Sequence, residues 1–205
     1  MKIFIFALAM CMSALPALGQ ERFPPLAPDQ MTPDQKDTAD QIIASRGNLN
    51  GPFQAWLRDP ALSDRLQKLG QQIRWHSTLP VVVNEFAILI TARHWTAQFE
   101  WYAHYPLAMK AGLAPAIADD LAAGQRPRNM PGDLAVAYDF STQLHASGHV
   151  DDATYDAAVK QFGEKGVVDL IAVNGYYDLV SMTLNVAQVG IPGGAAPPLK
   201  PLPVN

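Results

Sequence analysis

The chain has 205 residues, of which 49% are hydrophobic, with 17 prolines, one cysteine and a formal net charge of −4. This length fits one domain with a sizeable core, and the mildly acidic charge argues against nucleic acid as a partner. Cys11 lies in a segment that we expect to be removed on export, so the mature chain would contain no disulfide, thiolate metal ligand or redox thiol.

Residues 1–19 have the pattern of a secretory signal peptide. Lys2 precedes an apolar stretch, and Ala17 and Gly19 are small residues at the positions that a signal peptidase recognises. We therefore expect an exported protein, either periplasmic or secreted. An N-terminal membrane anchor is the alternative, although the apolar stretch is short for a span.

The remainder predicts a helical domain over residues 31–190, between a proline-rich, extended lead-in at 20–30 and a polyproline-like tail at 191–205. The tail is expected either to pack on the surface or a neighbouring subunit, or to be disordered. Predicted helices cover 33–46, 52–57, 61–76, 80–112 as one bent helix or two, 115–124, 132–147, 153–162 and 167–189.

Two features of the sequence concern the last two predicted helices. Gly163 and Gly166 predict a turn between the last two helices. The apolar helix that follows contains Asp169, Asn174 and Asp178, which makes it unsuitable as a membrane span, so no stable span is expected once the signal is cleaved.

Glu85, Glu100 and His104 are the candidate catalytic residues. Glu85 lies within a run of aliphatic residues, where an ionised carboxylate is costly unless it has a partner. Glu100 and His104 are four residues apart, so they share one face of a helix and can touch. Two acids and an imidazole in an apolar setting are suited to proton transfer.

The stretch N-E-F-A-I-L-I-T-A-R at 84–93, followed by F-E-W-Y-A-H-Y-P-L-A-M-K-A-G-L at 99–113, resembles the carboxymuconolactone decarboxylase family within the alkylhydroperoxidase D-like superfamily. The resemblance extends over most of residues 31–189. It implies an all-α, single-domain helical bundle that forms homo-oligomers, as dimers, trimers or hexamers.

The resemblance also separates two kinds of chemistry. In the redox branch, the positions of a C-x-x-C pair fall on Ala97 and Glu100, the following histidine is His104 and the upstream glutamate is Glu85. The resemblance is therefore to a branch that lacks the cysteine pair. A thiol peroxidase of peroxiredoxin type needs a thiolate, so that activity, the usual label of the family, is disfavoured.

Other side chains have two interpretations each. Arg74 is suited to binding a substrate carboxylate or to pairing with an acid, and Trp101 and Tyr102 to lining a substrate pocket or to packing. His94 is a weaker substrate-binding candidate, because it does not share a helical face with His104. His145 and His149, near a helix end, are expected to be solvated.

The resulting hypothesis is an exported carboxymuconolactone decarboxylase-like lyase. It would use Glu85, Glu100 and His104 for proton transfer on a small carboxylated or lactone-type substrate, without metal or other cofactor. Whether the protein is an enzyme at all is open at this point. A non-catalytic ligand-binding or scaffold protein with the same fold is the alternative.

Overall fold

The structure is a computed structural model that describes residues 21–202. The predicted signal peptide, residues 1–19, lies outside the described residues, as do residues 20 and 203–205.

Helices make up nearly all of the ordered secondary structure. The described residues contain no β-strand, which confirms the all-α prediction. The helices are α1 Pro33–Arg46, α2 Phe53–Trp56, α3 Pro60–Trp75, α4 Val81–His94, α5 Gln98–Lys110, α6 Pro115–Ala122, α7 Gly132–Ser147 and α8 Asp152–Ala187, with short 3₁₀ turns at Pro28–Gln30 and Pro192–Gly194. Between residues 21 and 202, none of the helices combines the length and apolar character that crossing a membrane requires.

Local sequence explains where several of these helices begin and end. Thr32 starts α1 with a capping box, since its hydroxyl accepts from the Gln35 amide at 3.3 Å and the Gln35 side chain accepts from the Thr32 amide at 2.9 Å. The carboxylate of Asp151 caps α8 in the same way, by accepting from Thr154 N at 2.7 Å. Gly47 ends α1 in the left-handed conformation, with φ of 84°, that glycine adopts without strain.

Helix α4 is the centre of the bundle and packs against α5, α7 and α8. Its sequence is apolar on all sides, which is typical of a helix surrounded by others, and residues 83–93 are all buried. A buried polar network joins it to its neighbours. The Thr91 hydroxyl donates to Asn174 of α8 at 3.2 Å, and the Asn174 amide donates to Ser141 of α7 at 3.0 Å.

Helix α8 consists of two helical segments that meet at a kink. The glycines at 163 and 166 predicted a turn, but only Gly163 departs from helical geometry, with φ of 70° and ψ of 169°. Gly166 is buried within the helix and faces Phe162 closely. The two predicted helices are therefore present and meet at Gly163, with a break that is shorter than the predicted turn.

Both ends of the described chain fold back onto the bundle. Leu199 in the tail is 2% exposed, and its backbone exchanges two hydrogen bonds with the Gln98 side chain at 2.8 and 2.9 Å. Arg93 donates to the carbonyl of Lys200 at 2.9 Å. In the lead-in, Arg22 N donates to the carbonyl of Ala187 at 2.9 Å.

Candidate active site

The three predicted catalytic residues converge on one another. His104 Nδ1 lies 2.6 Å from Glu85 Oε2, and His104 Nε2 lies 3.0 Å from Glu100 Oε1. All three are buried, with exposed fractions of 7% for Glu85, 3% for Glu100 and 5% for His104. The imidazole thus bridges two carboxylates away from bulk water.

The connection between α4 and α5 produces this convergence. Only residues 95–97 separate the two helices, and Thr96 adopts a left-handed conformation with φ of 48°. The Ala97 amide donates to the carbonyl of Ala92 at 2.8 Å, which closes the turn. The helices form a hairpin in which Glu85, in the middle of α4, reaches His104 on α5. Glu100 lies one turn before His104 on α5, as the spacing predicted.

The surroundings keep His104 charged. Burial by itself disfavours the imidazolium, but the negative charges and hydrogen bonds of Glu100 and Glu85 outweigh it and raise the pKa of His104 to about 9. The Tyr177 ring packs edge-on against the imidazole, with centroids 5.1 Å apart. At neutral pH the site therefore holds an imidazolium between two acidic side chains.

A cavity of about 450 Å³ opens onto one end of this line of residues. Glu100 and His104 line it, whereas Glu85 does not and lies behind the imidazole. The walls also include aromatic side chains from three different helices, α2, α5 and α8. These are Phe53, Phe99, Tyr102, Tyr176 and Tyr177. The cavity is large enough for a small organic molecule and exposes it to an acid–base pair.

Two arginines face the same cavity. Arg74, proposed from the sequence, lines it from the last turn of α3, and Arg46 lines it from the last residue of α1. In the part of the chain that the structure describes, neither makes an ion pair with an acid, so the expectation that Arg74 pairs with a carboxylate is not met. Glu85 is paired with His104 instead.

The remaining predicted substrate-binding residues divide between two places. Tyr102 lines the cavity and is 43% exposed. Trp101 is buried, stacks with Tyr105 at 6.3 Å and faces a separate hollow. His94 is exposed at the end of α4 and also lies away from the cavity. The geometry supports Tyr102 as a cavity residue and gives no such support to Trp101 or His94.

The expectation of a solvated His145 is wrong. Its side chain is only 5% exposed, with Nδ1 3.5 Å from Asp178 Oδ1 and Nε2 3.2 Å from the Thr91 hydroxyl. Its ring stacks on His94 with centroids 4.6 Å apart. Burial lowers the pKa of His145. The residue faces into the bundle from α7, which its position near a helix end did not reveal. His149 is exposed, as expected.

No group of three or more histidines, cysteines, aspartates or glutamates within residues 21–202 is arranged to hold a metal ion. At the candidate site, both ring nitrogens of His104 are already engaged by carboxylates. An imidazolium with one carboxylate behind it and one carboxylate at the cavity is an arrangement suited to proton transfer.

Sequence reasoning missed Arg46, Tyr176 and Tyr177 as a group around the cavity. Arg46 lies in α1 and the two tyrosines lie in α8, both distant in sequence from α4 and α5. A partial signal exists at Gly70, because a side chain at that position would collide with the Tyr176 hydroxyl and come within 2.8 Å of Arg46 Nη2. A glycine inside an amphipathic helix indicates close approach by another group.

The fold is that of the alkylhydroperoxidase D-like proteins, as the resemblance predicted. An uncharacterized peroxidase-related protein from Silicibacter sp. TM1040 matches with a TM-score of 0.67 at 12% identity, over 87% of this chain and 94% of that chain. The debrominase Bmp8, as a cysteine-to-alanine variant in complex with 2,3,4-tribromopyrrole, matches with a TM-score of 0.66 at 14% identity, over 85% of this chain and 94% of that chain. No protein-family model matches the chain, and no curated protein matches it in sequence. At these identities the likeness establishes the fold and not the activity.

Proposed function

We propose that the protein is an enzyme that performs acid–base chemistry of the decarboxylase or lyase type, without a cofactor, on a small carboxylated or lactone-type substrate. The observation that supports this most directly is the buried line from Glu85 through His104 to Glu100, which ends at a cavity. Buried carboxylates are costly, and their convergence on one imidazole beside a cavity is typical of a proton-transfer site.

Each residue has a separate role in this proposal. Glu100 contacts the substrate, because it lines the cavity and has one oxygen 3.0 Å from His104 and a second oxygen for the substrate. His104 stores the proton, since its raised pKa keeps it protonated at neutral pH. Glu85 is a positioning residue that fixes the ring through Nδ1 and stabilises its charge.

A decarboxylation would proceed as follows. The bond between the substrate carbon and its carboxylate breaks, CO₂ leaves, and the electron pair stays on the carbon. Glu100 delivers a proton to that carbon while it takes one from His104 Nε2, and water that enters the cavity later restores the proton of His104. In a lactone isomerisation, Glu100 instead removes a proton from carbon and returns it at another position. Both reactions need an acid and a base in contact, as found here.

A thiol peroxidase of peroxiredoxin type is disfavoured. The two positions where the redox branch has cysteines hold Ala97 and Glu100, and residues 21–202 include no cysteine. A buried carboxylate in place of a thiolate cannot form a disulfide, and it supplies acid–base chemistry instead.

We also propose the shape of the substrate, the location of the protein and its assembly. Bmp8, which has the same fold, is complexed with a small halogenated ring, and this supports a small, flat molecule as the substrate here. The amino-terminal sequence supports export to the periplasm or beyond. The family resemblance supports a homo-oligomer, a dimer, trimer or hexamer.

The test is turnover on a panel of lactones and unsaturated or keto carboxylates, followed by CO₂ release and product chromatography. We expect Glu100→Gln and His104→Gln to reduce kcat by about 10²- to 10⁴-fold, the usual contribution of acid–base groups, with the fold intact. Glu164→Gln and His149→Gln, at exposed positions, are matched controls with unchanged kcat. Full activity of His104→Gln would refute the proposed role.

A non-catalytic ligand-binding or scaffold protein with this fold is the alternative. The aromatic cavity supports it, because a cavity of about 450 Å³ can hold a ligand without transforming it. Saturable binding of panel compounds with no turnover of any of them would favour the alternative.

A further inference from the structure

The two cavity arginines have donors that no described residue satisfies. Arg46 donates from Nη2 to the carbonyl of Gln67 at 3.1 Å, but its Nε is buried and has no hydrogen-bond partner among residues 21–202. The Nε of Arg74 is in the same condition. Buried guanidinium donors without acceptors are costly, so their presence needs an explanation.

Contacts with other described residues engage only part of each arginine side chain. The Arg46 guanidinium carbon lies 5.0 Å from the centre of the Phe53 ring and 5.4 Å from that of Trp75, and Arg74 lies 5.8 Å from Trp75. Both residues also lie at the carboxyl ends of helices, where positive charge is favourable. These interactions hold the planes of the guanidinium groups but leave the Nε atoms without acceptors.

Positive charge in the cavity also exceeds negative charge. Burial lowers the pKa of Arg46, and the nearby Arg74 lowers it further. Glu100 is the acid of the cavity, but it is engaged by the His104 imidazolium. Two guanidinium groups thus share the cavity without a dedicated counterion among the described residues, an arrangement that an anionic ligand would neutralise.

We propose that Arg46 and Arg74 form a carboxylate-binding subsite, and that the substrate is a flat aromatic or conjugated carboxylate. Guanidinium groups bind carboxylates in a bidentate manner, and both arginines line the cavity without an ion pair to an acid of the described residues. The surrounding rings of Tyr176, Tyr177 and Phe53 suit a flat body. The subsite would anchor the carboxylate and leave the rest of the molecule beside Glu100. This inference rests on the proposed function, since it takes the same cavity as the active site.

The experiment measures binding by calorimetry with three probes: benzoate, terephthalate and benzamide, the uncharged analogue of benzoate. Benzoate and terephthalate should bind the wild-type protein, and benzamide should bind at least about tenfold more weakly because it has no charge. Arg46→Gln and Arg74→Gln should each weaken benzoate binding by about 10- to 100-fold. Arg46→Lys and Arg74→Lys should recover part of the loss, because lysine keeps the charge and loses the fork.

Arg65→Gln is the matched control, because Arg65 is an exposed arginine on the same helix as Arg74, and it should bind benzoate like the wild type. Urea unfolding shows which variants remain folded. Absence of benzoate and terephthalate binding, equal affinity for benzamide, or an equal loss in Arg65→Gln would overturn the subsite. His104→Gln separates the two proposals, since it should bind benzoate and lose turnover. Arginine-dependent binding with turnover unaffected by His104→Gln would refute the acid–base role and leave the subsite standing.

Discussion

The buried imidazolium makes protein stability depend on pH in a predictable direction. The pKa of His104 is about 9 in the folded protein, against 6.5 for an unperturbed histidine. The folded state therefore holds a proton that the unfolded chain releases above pH 6.5. The stabilisation is fully present below pH 6.5 and is lost as the pH rises to about 9, which amounts to about 3 kcal/mol of unfolding free energy.

Replacement of Glu85 by glutamine should remove a defined part of this effect. Glutamine keeps an acceptor for His104 Nδ1 but has no charge, and a charged partner is stronger than a neutral one by about 1–2 kcal/mol. The pKa of His104 should fall by about one unit, and the variant should lose about 1–2 kcal/mol at pH 6. Above pH 9 the difference from wild type should vanish, because the imidazole is then neutral in both proteins.

Urea unfolding followed by tryptophan fluorescence, at steps between about pH 6 and pH 9.5, measures this difference. The titration of the His104 ring by NMR gives the pKa directly. His149→Gln, at an exposed position, is the control and should follow the wild-type curve. The reasoning is refuted if Glu85→Gln and wild type lose stability equally over this range, or if the His104 ring titrates near 6.5 in the wild type.

Three further outcomes test other parts of the structure. Asn174→Ala should lower the free energy of unfolding in urea by about 2–4 kcal/mol, because it leaves a cavity at a fully buried position and removes the donor to the Ser141 hydroxyl. A decrease of less than about 1 kcal/mol would contradict this. Gly70→Ala should lower the free energy of unfolding by about 1–3 kcal/mol and weaken carboxylate binding, because the new methyl group would contact Arg46. Gly132→Ala, where no other atom lies within 4 Å of the new methyl group, is the control. Because the pKa of His145 is lowered, its contribution to the free energy of unfolding is present above pH 6.5 and is lost as the pH falls below that value. His145→Gln should therefore reduce the loss of stability on the acid side. The same loss of stability in His145→Gln as in wild type would count against the burial of this histidine.

Much of the helical architecture was predictable because its signals are local. The Thr32 and Asp151 caps depend on residues within one turn, and the continuous apolar run of α4 is consistent with its burial on all sides. The break predicted after Phe162 is present at Gly163 but is shorter than the predicted turn, since Gly166 already lies within the second helical segment. Glycine permits a break in a helix but does not impose its length.

The site was predictable only where its residues share a short segment. Glu100 and His104 are one helical turn apart, whereas the pairing of Glu85 with His104 depends on the hairpin of two helices and was implied only by the family resemblance. Arg46 comes from α1, distant in sequence, and its approach depends on how α1 packs on α3. Burial of His145 likewise depends on which face of α7 meets α4 and α8, and periodicity in an apolar helix does not distinguish the faces.

The position of Glu85 behind the imidazole has a consequence for the fate of a deuterium label in the substrate. The carboxylate is buried in α4 and does not line the cavity, so a proton of the proposed relay would enter and leave at the cavity end. A substrate bound against Glu100 would cover the cavity side of the relay and slow the exchange of its proton with water. In an isomerisation, deuterium taken from one carbon of the substrate should therefore reappear at another carbon of the same molecule, even in ordinary water.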